Sequence, residues 1–122
     1  MSWNLNKEKP ICSQLCEIIL IKIASGEYKS GEKAPSVRDL AVEAGVTPNT
    51  VQRSLEMLES QGVFYTVRGL GRYVSDDTTI ATKKIEQLRE KKVKDFFSDM
   101  QTLGLSEKET KEYIANLRSE KL

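Results

Sequence analysis

Histidine is absent from this sequence of 122 residues, aromatic residues make up 7% of it, and cysteine occurs twice. Without histidine, the commonest metal ligand and the commonest general base near neutral pH are both missing. Two cysteines, Cys12 and Cys16, cannot complete a four-ligand zinc site without carboxylates. They stand one helical turn apart, which is poor disulfide geometry. They therefore read as small, partly buried helix residues, with a redox sensor as the alternative. No glycine-rich phosphate loop follows a buried strand, and no Ser or Cys stands in a nucleophile setting. No enzymatic activity, cofactor or metal is expected. Long apolar runs are lacking too. The longest, Ile18 to Ile21, is far shorter than the ~18–20 residues that cross a bilayer. The opening Met1-Ser-Trp-Asn-Leu-Asn has neither the basic start nor the apolar core of a signal peptide. The expectation is a cytoplasmic protein with no membrane partner.

Nor is there an excess of either charge: 19 basic residues face 18 acidic ones, for a net charge of +1. Divided after Ser75, the chain has nine basic and eight acidic residues before the cut and ten of each after it. Bulk electrostatics thus neither identifies nor excludes a nucleic-acid partner. The length suits one compact domain with an appendage.

The pattern along the chain is more informative. Pro10 opens a helix whose Ile11, Leu15, Ile18, Ile19 and Ile23 form an apolar stripe at spacings of three and four. Gly26 ends it, and Ser30-Gly31 marks a turn. Ser36 followed by Asp39 resembles a capping box. It starts a second helix with Val37, Leu40, Ala41 and Ala44 inward and Gly45 as its stop. Thr47 as cap and Pro48 in the first turn start a third helix, with Val51, Leu55 and Leu58 inward and an end near Gln61-Gly62. Two alternating segments, Val63 to Arg68 and Arg72 to Ser75, flank Gly69-Leu70-Gly71 and read as a β-hairpin. Three helices, the second and third separated by Gly45 and Val46, and then a hairpin make a winged helix-turn-helix. Asp76 to Thr79 form a polar junction. A long helix from Ile80 to about Leu103 follows, Gly104 breaks it, and Ser106 with Glu109 forms a capping box for a last helix. The expected fold is mainly α with a small β-hairpin. Residues 1–75 form the winged helix-turn-helix domain and 76–122 a two-helix dimerisation tail.

From Pro10 to Val74 the chain resembles the GntR family of bacterial transcription regulators. The resemblance is carried in order by Ile23-Ala-Ser-Gly-Glu-Tyr-Lys-Ser-Gly-Glu-Lys-Ala-Pro-Ser, Arg38-Asp-Leu-Ala, Gly45-Val-Thr-Pro-Asn-Thr-Val, Leu58-Glu-Ser-Gln-Gly and Arg68-Gly-Leu-Gly-Arg-Tyr-Val. The Pro48-Asn49-Thr50-Val51 form and the short tail are similar to the YtrA-like subfamily. The resemblance implies a homodimer on an inverted-repeat operator, most simply as a repressor, and Arg38 matches the family's DNA-contacting arginine. Many family members carry arginine where this chain has Pro48 and Gln52, so contacts made by those arginines do not transfer.

The residues themselves agree. A recognition helix presents its N-terminal residues to base edges in the major groove. Here those are Thr47, Asn49, Thr50, Gln52 and Arg53, with no acid between Glu43 and Glu56. Asn and Gln bond adenine in bidentate fashion, so an adenine-containing half-site is expected. At the wing, Arg68, Gly69 and Arg72 are candidates for DNA contact, because arginine favours the narrow minor groove of A·T tracts. In the tail, Leu88, Val93, Phe96, Phe97, Met100, Ile114 and Leu117 form an apolar stripe that two helices cannot bury by themselves, so a second copy is the expected cover, with packing back on its own domain as the alternative. The competing reading is a winged-helix protein-interaction module without DNA specificity. It would need exposed apolar anchors on the third helix, where this chain has polar residues. The sequence names neither an operator nor a small-molecule effector.

Overall fold

The computed structural model describes residues 3–121; Met1 and Ser2, part of the opening stretch read for a leader, lie outside them. Among the described residues the elements are α1 (Ile11–Ala24), α2 (Val37–Ala44), α3 (Pro48–Ser60), β1 (Phe64–Val67), β2 (Gly71–Val74), α4 (Thr79–Thr102) and α5 (Glu107–Lys121). Helices dominate, and β1 and β2 form an antiparallel hairpin. The chain divides into two compact units between Ile85 and Glu86.

In the first unit, α3 packs against α1, α2 and β1. The apolar periodicity explains why. Leu15, Ile19 and Leu20 of α1, Leu40, Ala41 and Ala44 of α2, and Val51, Leu55 and Leu58 of α3 are all buried. Burying each large aliphatic side chain stabilises by about 1.5–3 kcal/mol. Val63, Phe64 and Val74 close this core from the hairpin side. The unit reaches Ile85, beyond the Ser75 boundary expected from sequence. Ala81 is buried, and the Ile80 side chain lies 3.5 Å from where a Cβ on Gly62 would stand.

The hairpin has an unexpected neighbour. Gly31 and Ala34 donate backbone hydrogen bonds to Val74 and Arg72, at 2.9 and 2.8 Å, and Val74 donates to Glu32 at 2.9 Å. Lys33 thereby pairs with Tyr73 in an isolated antiparallel bridge. The segment read as a turn at Ser30-Gly31 thus continues into a short edge along β2. Across the hairpin Tyr65 stands opposite Tyr73, their rings stacked with centroids 5.9 Å apart.

The helix ends follow the expected chemistry with one difference. Ser36 Oγ accepts from the Asp39 N–H at 3.0 Å. Ser106 and Glu109 form the full reciprocal box, at 2.9 and 3.1 Å, which holds the Glu109 carboxyl below its ordinary pKa. Thr47 occupies the cap position of α3 without a side-chain cap bond. Its hydroxyl instead lies 3.0 Å from that of Thr50.

The second unit consists of most of α4 followed by α5. Gly104 and the bond from the Leu105 N–H to the Met100 carbonyl, 3.0 Å long, turn the chain between them. Thr110 is the one buried residue among those of this unit whose burial is described. Its hydroxyl donates to the Ser106 carbonyl at 2.8 Å. Val93, Phe96, Leu103, Tyr113, Ile114 and Leu117 are all exposed.

Candidate nucleic-acid interface

The turn into α3 depends on one glycine. Gly45 has φ 75, a left-handed conformation that side chains disfavour. Its N–H and that of Val46 both reach the Ala41 carbonyl, at 3.0 and 3.1 Å. This closes α2 and launches α3 at once. With Val51, Leu55 and Leu58 held in the core, the opposite face of α3 must carry its polar residues outward. Thr47, Asn49 and Arg53 are exposed, and Thr50 and Gln52 are half-buried. Arg38 is exposed on α2. Among the described residues Arg38, Asn49 and Arg53 have no side-chain hydrogen bond or ion pair. Gln52 is engaged: its Nε2 donates to Glu56 Oε1 at 2.8 Å, so reading a base with this amide requires leaving Glu56.

The wing brings together residues that local pattern does not connect. Arg68 and Gly69 are exposed at its tip, and Arg68 has no ion pair among the described residues. Gly71 has φ 125, and a Cβ there would meet Lys33 Cε at 2.9 Å. The Lys33 side chain therefore lies along the wing backbone, a basic group that sequence reasoning missed. Arg72 turns away from the tip. Its Nε donates to Glu59 Oε1 at 2.8 Å, and its side chain is only 18% exposed. Thr66 Oγ1 also donates to Glu59, at 2.8 and 3.0 Å to the two oxygens. The Arg72 hydrogen bond, aided by Thr66 and opposed by partial burial, holds the Glu59 carboxyl below its ordinary pKa.

Residues 12–74 match the model of the family described as bacterial regulatory proteins, gntR family. The chain belongs to the gntR family. It is 31% identical to the HTH-type transcriptional repressor YtrA of Bacillus subtilis, an alignment covering 91% of this chain and 86% of that one. A GntR family transcriptional regulator from Listeria monocytogenes superposes with TM-score 0.75 at 31% identity, covering 92% of this chain and 98% of that structure. The AraR DNA-binding domain, solved in complex with operator ORX1, matches 62% of this chain and 92% of its own at TM-score 0.52 and 29% identity. This gntR-family chain is thus a winged-helix, DNA-binding transcription regulator and not an enzyme. No helix among the described residues is long and apolar enough to cross a membrane.

Behind α3 lie the two cysteines, both free thiols. The hydroxyl of Ser54, fully buried on α3, lies within hydrogen-bond reach of the Cys12 carbonyl and Sγ, both at 3.2 Å, and of the Thr50 carbonyl at 3.1 Å. Cys16 Sγ faces the Ser54 carbonyl at 3.6 Å. Burial, and after it the neighbouring Cys12, pushes the Cys16 thiol up to about 11. Since the thiolate is the reactive form, Cys16 is expected to resist maleimide at pH 7 in the folded protein and to label on denaturation. Mass spectrometry of peptides from native and urea-treated samples reads this. Equal labelling of Cys16 in both would contradict its burial.

Proposed function

We propose that this gntR-family regulator represses transcription as a homodimer bound to an inverted-repeat operator, two winged units reading two half-sites. The observation that carries the dimer is the second unit, where Thr110 alone is buried among the residues so described while apolar side chains stay open. Phe96 and Val93 are 42% and 52% exposed, and Ile114 and Leu117 are 41% and 40% exposed. With Leu88, Phe97 and Met100 they form a surface whose natural cover is the same surface of a second copy, since a symmetric pair contacts through one self-complementary patch. The boundary proposed between reader and tail lies in the polar stretch after Ser75, the start of α4 remaining packed with the reader.

In the reader, Thr47, Asn49, Thr50, Gln52 and Arg53 face the major groove, and Arg38 supports them from α2. Their polar chemistry, free of apolar anchors at the first turn, favours DNA over a protein partner. Arg68 and Gly69 approach the minor groove, with Lys33 alongside as a phosphate contact. The repressor reading draws on YtrA, named a repressor, and the operator reading on the AraR complex.

The test is selection of binding sites by the full chain from random duplex DNA at fixed salt. An enriched inverted repeat supports the reading. Failure to enrich any sequence would move the protein to the competing role of an interaction module. On the selected site, Arg68→Ala is expected to weaken binding most where the flanks are A·T-rich. Competition titrations with A·T- and G·C-flanked operators measure this. Equal losses on both would remove the minor-groove role of Arg68.

A further inference from the structure

Arg72 is the one wing cation that the fold ties down, and the tie reaches into the recognition helix. Glu59 stands near the end of α3, Thr66 in β1 and Arg72 in β2. The three side chains meet within 2.8–3.0 Å, Thr66 and Arg72 both donating to the same carboxylate. Thr66 and Arg72 are also direct partners in the hairpin register. The carboxylate thus fastens both strands of the wing to the helix that reads the bases. The base of the hairpin is packed by Val63, Phe64 and Val74, and its β2 edge is paired with the segment around Lys33; toward the exposed tip this contact adds a polar tie between two DNA-binding elements.

We propose that Glu59 and Arg72 are positioning residues for operator recognition, setting the wing against α3, and that Arg72 does not contact DNA. This rests on the reading of the chain as an operator-binding regulator. The two possible roles of Arg72 give opposite outcomes for its partner. A carboxylate near DNA repels phosphate. If Arg72 reached DNA, removing Glu59 would free the guanidinium, remove a negative charge and tighten binding. If Arg72 acts through Glu59, removing either residue releases the wing and weakens binding to a similar extent. The double removal then costs little more than either alone, as residues sharing one interaction are not additive.

The experiment measures operator affinity and flank preference of the full chain for wild type, Glu59→Ala, Arg72→Ala, the double alanine variant and the exchange Glu59→Arg with Arg72→Glu. All measurements are made well below the melting temperature of each protein. The expected loss is roughly five- to thirtyfold for each single variant, equivalent to about 1–2 kcal/mol. The same loss is expected for the double variant, with substantial recovery in the exchange. The preference for A·T-rich flanks should fall in the single variants, while the preference at bases read by α3 remains. A general loss of stability would reduce binding to all sequences alike and leave both preferences intact. Glu59→Ala binding as tightly as wild type or tighter, or an exchange variant no better than the singles, overturns the proposal. Should an exchange variant fail to fold, the single and double alanine variants still decide by additivity. Wild-type protein that enriches no site would instead overturn the operator reading itself, a failure separate from this one.

Discussion

Ending the chain at Ile85 is expected to leave a folded, monomeric reader that binds a half-site weakly. The cut falls where the first compact unit ends, so the core of α1, α2, α3 and the hairpin stays whole, with Ala81 still in place. Losing the second reader removes the effective concentration that a dimer supplies, worth about 10²–10⁴-fold in apparent affinity. Phe96→Asp with Phe97→Asp in the full chain is expected to act in the same direction, by forcing charge into an apolar contact. In the single chain these rings lie 5.6 Å apart on α4; Phe96 is exposed and Phe97 half-buried, so the substitutions disturb little of its own interior. Light scattering and operator titration read both variants. A fragment that remains dimeric at micromolar concentration would place the dimer contact in the reader instead.

The second large effect belongs to Asn49. Its amide is exposed on the first turn of α3, with no side-chain bond among the described residues, so nothing must be broken before it meets a base. Asn49→Ala is expected to cost about 1–3 kcal/mol at one half-site position and to relax the base preference there. Arg38→Ala should weaken all sequences alike and flatten the salt dependence, as expected of a phosphate contact. Titrations of specific and random duplexes across a salt series separate the two. Equal losses on both DNAs for Asn49→Ala would end its role as a base reader.

What could be seen in the sequence was what local chemistry determines. Pro48, Gly45 and the repeat of Val51, Leu55 and Leu58 define α3 almost to the residue, since cap, stop and inward stripe all lie within one short window. Ser106 and Glu109 announce α5 for the same reason. Contacts between distant segments were not legible. Lys33 meets Gly71 and pairs with Tyr73, yet Glu32-Lys33-Ala34 shows no alternation that would mark an edge strand. Arg72 beside a glycine-rich tip looks like a free wing cation. Only the fold shows that the distant Glu59, which also accepts from Thr66, claims it. Trp3, which no local pattern positions, donates to Glu43 at 3.2 Å, with the Lys22 ammonium 5.2 Å from its ring. The open apolar surface of the tail was legible, because a stripe as broad as Leu88 to Met100 exceeds what two helices can hide.

Repression by this dimer requires two readers held together on one face of the duplex. The most direct measurement compares the affinity of the full chain for its selected operator with that for the same operator carrying about five extra base pairs between the half-sites. Half a turn of B-DNA, whose full turn is about 10–10.5 base pairs, rotates one half-site to the far face. Affinity is then expected to fall to that of a single half-site. Unchanged affinity for the lengthened operator would contradict a dimer reading two half-sites together.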